Sequence, residues 1–318
     1  MTSWPAKAVV QRGIGAMPHP HDWNELLQDR VTRSLELTEE VFNDGLRNCQ
    51  KYMERLRRYG PAEQNGFSVF ELGTGWFPVV PVGLFLCGAR EIWTWDIVQH
   101  LKLDRLRLTT RRFLELAQRE KLRDHIDAEP ERLRLLQQLI RVCESPQSSN
   151  PAELLDRFGI HYRIGNAGQT GLPEQSINLF VSHVVFEYLA PEPLSEILRE
   201  FRRLAAPGAV MSHSIDLRDQ YASFDNRITF FNFLRFSDRQ WRWLNHPIIP
   251  LNRLRISDYR RAFAESGFQI IDEINRLGNP SELARIPLAQ RFRGYPVEDL
   301  LVLYTDLVAI PASIPAAN

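Results

Sequence analysis

A doubly wound, mostly parallel α/β sheet is the fold this sequence predicts, on three observations. Strand-like and helix-like segments alternate from residue 66 onward, the pattern of successive βαβ units. The first of these strands runs into a glycine loop, Glu71-Leu72-Gly73-Thr74-Gly75, and the second ends on an acid, Asp96. The chain has 318 residues, 44% of them apolar, which suits one large domain with an accessory piece.

Charge and cysteine usage narrow the class. With 39 basic and 39 acidic side chains, the chain lacks the cationic surplus that nucleic acid or an anionic membrane surface would select. All the basic residues except Lys7, Lys51, Lys102 and Lys121 are arginines, which reads as a composition bias rather than as anion recognition. Cys49, Cys87 and Cys143 are far apart and form no CxxC pair, so neither a disulfide framework nor a structural zinc site is expected. A reducing, cytoplasmic setting follows from that. The uncharged stretch 72–89 carries four glycines and two prolines and is not read as a membrane span.

Taken in order, residues 1–21 read as a flexible arm, with neither a secretory core nor an arginine-rich transit helix. Residues 22–65 form an N-terminal helical accessory region. In it Phe42, Leu46, Cys49, Met53 and Leu56 recur on one helix face, Thr38 is the N-cap and Gly60-Pro61 the stop. That face either packs on the main domain or forms a homodimer surface. The main domain covers 66–310, with strands expected at 68–72, 91–95, 161–164, 178–182, 210–215, 269–274 and 300–310. Its crossover helices include 193–204. Two insertions, about 97–160 and 217–256, exceed the usual crossover length. The first contains helical patterns at 101–116 and 131–142. The second crowds Tyr221, Phe224, Phe230, Phe231, Phe233, Phe236, Trp241 and Trp243 together, as a pocket wall, a lid or an extra core patch would. The tail 311–318 is expected to be flexible.

Seven strands in this arrangement make a Rossmann-like sheet, whose ligands bind at the strands' carboxyl ends. There, glycines let the backbone turn and approach a ligand closely, and Asp96 stands where a carboxylate can accept from both hydroxyls of a ribose. The third position of a dinucleotide fingerprint is Pro78, which lacks the N–H that a pyrophosphate would want at the helix start. An adenosine-type ligand without phosphate fits better.

The ordered set Glu71-Leu72-Gly73-Thr74-Gly75, Asp96, Gly165-Asn166-Ala167, the run 172–182, Phe186-Glu187-Tyr188-Leu189 and Leu204-Ala205-Ala206-Pro207-Gly208 resembles the motifs of class I S-adenosylmethionine-dependent methyltransferases. The resemblance spans roughly 66–275. It implies S-adenosylmethionine as cofactor, with Glu71, Gly73, Thr74 and Gly75 around the methionine part, Asp96 and Ile97 at the ribose, and Asn166 and Ala167 at the adenine. Ser182 and His183 would form the rim beside the transferable methyl group. Asn166 replaces the family's common Asp, so its amide oxygen would accept from the adenine without a charge. Asn178, Tyr188 and Ala209 depart from the commonest residues and read as structural.

At the rim, His183 follows the fourth strand and is the candidate base, since methyl transfer needs in-line positioning and, for a hydroxyl acceptor, removal of a proton. Asp216 ends the fifth strand as the second candidate, and Asp219 follows it in a capping or acceptor role. His213 and Asp216 alternate to opposite faces, so no metal site is expected. Glu187 reads as an acid favoured by a helix start. The segment Ser182-His183-Val184-Val185 lacks the paired prolines and aromatic that resemble amino-methylating enzymes. The expected partner is therefore a small molecule, methylated on a hydroxyl oxygen first and on carbon second. The alternatives are a nicotinamide-dependent oxidoreductase, for which Pro78 is wrong and no Tyr-xxx-Lys pair is evident, and a non-catalytic scaffold of the same fold.

Overall fold

The computed structural model describes residues 4–15, 36–61, 66–145, 147 and 149–312. Its strands are β1 (Phe67–Leu72), β2 (Ala89–Asp96), β3 (Ile160–Ile164), β4 (Ile177–His183), β5 (Ala205–Asp216), β6 (Phe268–Leu277) and β7 (Val302–Pro311). They form one sheet in the order β3-β2-β1-β4-β5-β7-β6. β1 to β5 are parallel, and β7 runs antiparallel between β5 and β6. The seven-stranded doubly wound sheet expected from the sequence is thus present, each strand overlapping its expected range. The strand order reverses between β1 and β4, and the crevice at their carboxyl ends is where such a sheet binds ligands.

The helices are α1 (Trp4–Gly15), α2 (Glu39–Tyr59), α3 (Val79–Leu86), α4 (Leu103–Gln118), α5 (Pro130–Glu144), α6 (Pro151–Asp156), α7 (Pro191–Leu204), α8 (Asp238–Leu244), α9 (Ile256–Glu265), α10 (Pro280–Leu283) and α11 (Val297–Leu301). None among the described residues is long and apolar enough to cross a membrane.

The sheet is covered on both faces, which is why its strands read as near-continuous apolar runs. Val69, Leu179, Val181 and Val210 face α2, α3 and the helices of the first insertion. Phe70, Phe180 and Met211 face α7 and α9. α2 begins at Thr38, whose side chain accepts from the Val41 N–H at 3.2 Å, and ends where the Gly60 N–H donates to Leu56 O at 2.9 Å. Its stripe of Phe42, Leu46, Cys49, Met53 and Leu56 is buried on the chain's own domain. That answers the choice left by the sequence: this apolar face is not free for a second copy.

The other inner side of α2 is polar. Lys51 Nζ donates to Asp306 Oδ1 at 2.8 Å and to Ser214 Oγ at 2.7 Å, while Arg55 Nη1 donates to Ser212 Oγ at 2.7 Å. A charged patch on the sheet face is thereby paired rather than left unsatisfied.

The flexible arm expected over 1–21 needs correction, because 4–15 is helical and the rest of it lies outside the described residues. The cause is tertiary. Trp4 sits between Tyr221 and Phe236, with ring centroids 5.7 Å from each, and its backbone N–H donates to Asp225 Oδ2 at 3.0 Å. The second insertion supplies most of a third core, with Phe231, Phe233 and Trp241 buried against α1 and the segment 283–301. The aromatic cluster is therefore chiefly core. Phe224 and Trp243 stay exposed beneath Lys7 and Arg12. Arg255, fully buried, donates to the carbonyls of Leu217, Leu300 and Val302, and so ties the insertion to the sheet. Pro311 ends β7, and 313–318 lie outside the described residues.

Candidate functional site

Parallel registry sets the carboxyl edge. Glu71 in β1 is level with Thr94 in β2, and Asp96 is level with Ile164 in β3. The loops that follow are tied down by the Gly73 N–H donating to Trp95 O at 2.8 Å and the Gly165 N–H donating to Asp96 O at 2.9 Å. Gly73 and Gly75 adopt φ of +83° and +68°, conformations that disfavour a side chain. A Cβ at Gly73 would meet Val185 Cγ2 at 2.5 Å, whereas at Gly75 it would enter open space. One glycine is closely packed, and the other borders open space.

Two carboxyls meet at this edge. Glu71 is buried and accepts from Thr94 Oγ1 at 2.5 Å, and Thr94 also bonds Thr74. Burial pushes the Glu71 carboxyl up to about 8, against the pull of Thr94 and with a push from Asp96. Burial likewise pushes Asp96 up to about 7, although the Gly75 N–H, the Tyr162 hydroxyl and Thr74 act the other way. Asp96 Oδ2 is buried with no partner. Tyr162 OH is itself fixed by the N–H groups of His100 and Leu101, at 3.0 and 3.4 Å. This leaves a buried acceptor with a free lone pair beside a loop that is open at Gly75.

Next to Asp96, Ile97 is 74% exposed, an apolar side chain available to a flat ring. Ala167, in the loop after β3, is buried in the core that includes Leu72 and Trp95. Asn166 Oδ1 accepts from the Gly168 N–H at 2.9 Å and closes its own turn, while the residue stays exposed. Ser182 departs from expectation. Its hydroxyl bonds His213 Nδ1 at 2.8 Å inside the core rather than standing at the rim. His213 is stacked on Phe186, and burial lowers its imidazole to about 3.

The rim is carried by His183. Its Nε2 lies 3.3 Å from Asp44 Oδ2 on α2, and its Nδ1 is buried without a partner. The hydrogen bond from His183 holds Asp44 down to about 2, although burial opposes it. Val184, immediately after, has φ +57°, an uncommon value for a β-branched residue, and its N–H donates to Ser214 O at 2.9 Å. His183 and Asp216 line one cavity of about 510 Å³ with residues from α2, β6 and β7. Asp216 is not a free acid. Arg218 donates to both its oxygens, at 2.9 and 2.7 Å, which corrects its expected catalytic part to that of an ion-pair partner. Asp219 takes its capping role, accepting from the Tyr221 N–H at 2.9 Å. Glu187 is no exposed helix acid. It is 2% exposed with both oxygens unpartnered, and burial pushes its carboxyl well above the ordinary range.

Sequence reading missed Thr94, Tyr162 and Asp44. Thr94 was within reach, since period-two alternation puts it on the same face as Asp96. Asp44 carries no local signal, because it meets His183 only through the packing of α2.

No family model matches the sequence, and no curated protein matches it. Among solved structures, the chain is similar to an S-adenosylmethionine-dependent methyltransferase from Mesorhizobium loti, at 17% identity and a TM-score of 0.42, over 83% of this chain and 99% of that one. It is also similar to geranyl diphosphate C-methyltransferase from Streptomyces coelicolor, at 12% identity and a TM-score of 0.44, over 83% of this chain and 78% of the other. A third, an S-adenosylmethionine-dependent methyltransferase from Methanosarcina mazei, shares 12% identity over 81% of this chain and 97% of its own, with a TM-score of 0.43. Methyltransferases from these three organisms are what the chain is similar to, at low identity, while the chemistry of its site is read from its own side chains.

Proposed function

We propose that this protein transfers a methyl group from S-adenosylmethionine to a small-molecule acceptor, at a hydroxyl oxygen in the first instance. The observation that carries the reading is the unpartnered, buried Asp96 Oδ2 facing a glycine loop open at Gly75. Asp96 would accept from ribose hydroxyls, Ile97 would lie against the adenine, and Glu71 with Thr74 would border the methionine end. Pro78 caps α3 and Pro81 lies in its first turn, so this helix start lacks N–H groups that a pyrophosphate would use. A phosphate-free adenosine ligand fits that edge better than a nicotinamide dinucleotide.

Bound, the cofactor supplies an electrophilic methyl group. This chain's part is to hold the acceptor in line and take up its proton. Asp44 orients the His183 ring through its contact with Nε2. With Nε2–H directed at Asp44, Nδ1 keeps the lone pair that could accept a proton. Free Cys49, Cys87 and Cys143 suit a cytoplasmic setting.

Calorimetric titration with S-adenosylhomocysteine and NADH, followed by incubation with methyl-labelled S-adenosylmethionine and pooled metabolites, tests the reading. Micromolar binding of S-adenosylhomocysteine, and a product heavier than its precursor by one methylene plus the isotope it carries, are expected. Binding of NADH alone overturns the proposal, and cofactor binding without any labelled product reduces the protein to a scaffold.

A further inference from the structure

The cavity beside His183 contains four cationic side chains, and three of them are neutralised within it. Arg47 pairs with Asp44 at 3.0 Å, Lys51 with Asp306 at 2.8 Å and Arg218 with Asp216 at 2.7 Å. The fourth, Arg276 near the end of β6, forms no ion pair and donates no hydrogen bond among the described residues. Its guanidinium carbon lies 4.9 Å from the centroid of the Tyr304 ring on the adjacent strand β7. Stacking of this kind restrains the guanidinium while leaving its N–H edge free for a planar, bidentate partner. Phe230, Leu277 and Leu303 give the same cavity an apolar wall. The volume, about 510 Å³, is that of a small-ligand site.

From this juxtaposition we propose that the acceptor carries a carboxylate, which docks on Arg276, with its apolar body along Phe230 and its nucleophilic hydroxyl toward His183. The inference rests on the methyltransferase reading for what happens at the hydroxyl, but the carboxylate subsite stands on the cavity alone. Within the cavity three acids oppose four bases, so a monoanion brings the lining to neutrality. A neutral acceptor of the same shape would leave Arg276 without an acceptor group.

The test compares acid and amide forms of one scaffold. A panel of aromatic and aliphatic hydroxy acids, each with its neutral amide, is titrated by ligand-observed NMR into the full-length protein, its Arg276→Gln variant and its Arg276→Lys variant. Arg276 is exposed on an edge strand, so both variants should fold, as their melting curves would show. Charge-assisted hydrogen bonds predict that at least one acid binds the wild type roughly 10-fold or more better than its amide. Arg276→Gln should erase that preference, and Arg276→Lys should keep part of it. Equal binding of acid and amide, an unchanged preference in Arg276→Gln, or no binding of any acid at millimolar concentration overturns the carboxylate subsite. S-adenosylhomocysteine affinity is measured on the same three proteins and should not change. Loss of acid preference with cofactor binding intact supports the subsite, while absent cofactor binding with the preference intact defeats the methyltransferase reading and leaves the anion site standing.

Discussion

His183 Nε2 lies 3.3 Å from Asp44 Oδ2, which joins the end of β4 to α2 at the mouth of the cavity. In the proposed reaction this contact gives α2 a part beyond covering the sheet. Asp44→Asn keeps the shape and removes the charged partner that orients His183 Nε2, so turnover should fall about 100-fold while cofactor affinity holds. Rapid-quench turnover and calorimetry on the same preparation decide it; unimpaired turnover would remove Asp44 from the mechanism. The pairing also has a pH signature. Asp44 is held below its ordinary range, so its contribution to stability is present above about pH 4 and is lost as the pH falls toward about 2. Nearly half the side chain is exposed, so that contribution is small.

Asp96 works in the opposite sense. Its carboxyl is raised to about 7 by burial, so the folded protein binds a proton there that the unfolded chain has released. Stability at this site is therefore unreduced below the unfolded value, near pH 4, and declines until the pH passes about 7. Asp96→Asn should raise the stability of the ligand-free protein by about 2 to 4 kcal/mol near pH 8 and by much less near pH 4. The same variant should bind S-adenosylhomocysteine at least 10-fold more weakly, because an amide supplies a neutral acceptor. Melting curves at both pH values and one titration suffice. A gain over the wild type no larger near pH 8 than near pH 4 would show that Asp96 is not a strained acid.

Trp4 ties α1 to the second insertion through Tyr221 and Phe236. Trp4→Ala should cost about 1 to 3 kcal/mol, from lost aromatic packing and burial. The loss should appear as faster amide hydrogen exchange over 217–245, with β1 to β5 protected as before. Uniform acceleration across the sheet would instead make α1 part of the main cooperative unit.

The parts of this molecule that were legible in its sequence are those set by neighbours along the chain. Glu71, Gly73, Gly75 and Asp96 are placed by two adjacent strands and their loops, and the apolar stripe of α2 follows from helical period alone. Asp44 and His183 are joined by a helix laid across a sheet, and no periodicity encodes that registry. Ser182 shows a different failure. It has the right residue type at the right strand end, but a partner within the fold, His213, takes the hydroxyl expected to face a ligand. α1 was read as an arm because the surface that holds it in place, around Tyr221 and Phe236, lies more than two hundred residues away.

The two loop glycines separate folding from binding. At Gly73 a methyl group would collide with Val185 at 2.5 Å and would also have to adopt φ +83°, so Gly73→Ala combines strain with a displaced side chain. At Gly75 the methyl group meets nothing within 4 Å, and only the left-handed backbone at φ +68° opposes it, at a cost of about 1 to 2 kcal/mol. Gly75→Ala should therefore leave a folded protein with the circular dichroism of the wild type, whereas Gly73→Ala should melt at a lower temperature than Gly75→Ala. If the open side of Gly75 is where a cofactor approaches, S-adenosylhomocysteine affinity should nevertheless fall at least 10-fold in Gly75→Ala, since the added carbon occupies the approach path. Wild-type affinity in that variant would mean that the opening at Gly75 is a surface feature, and the cofactor reading of this edge would lose its main geometric support.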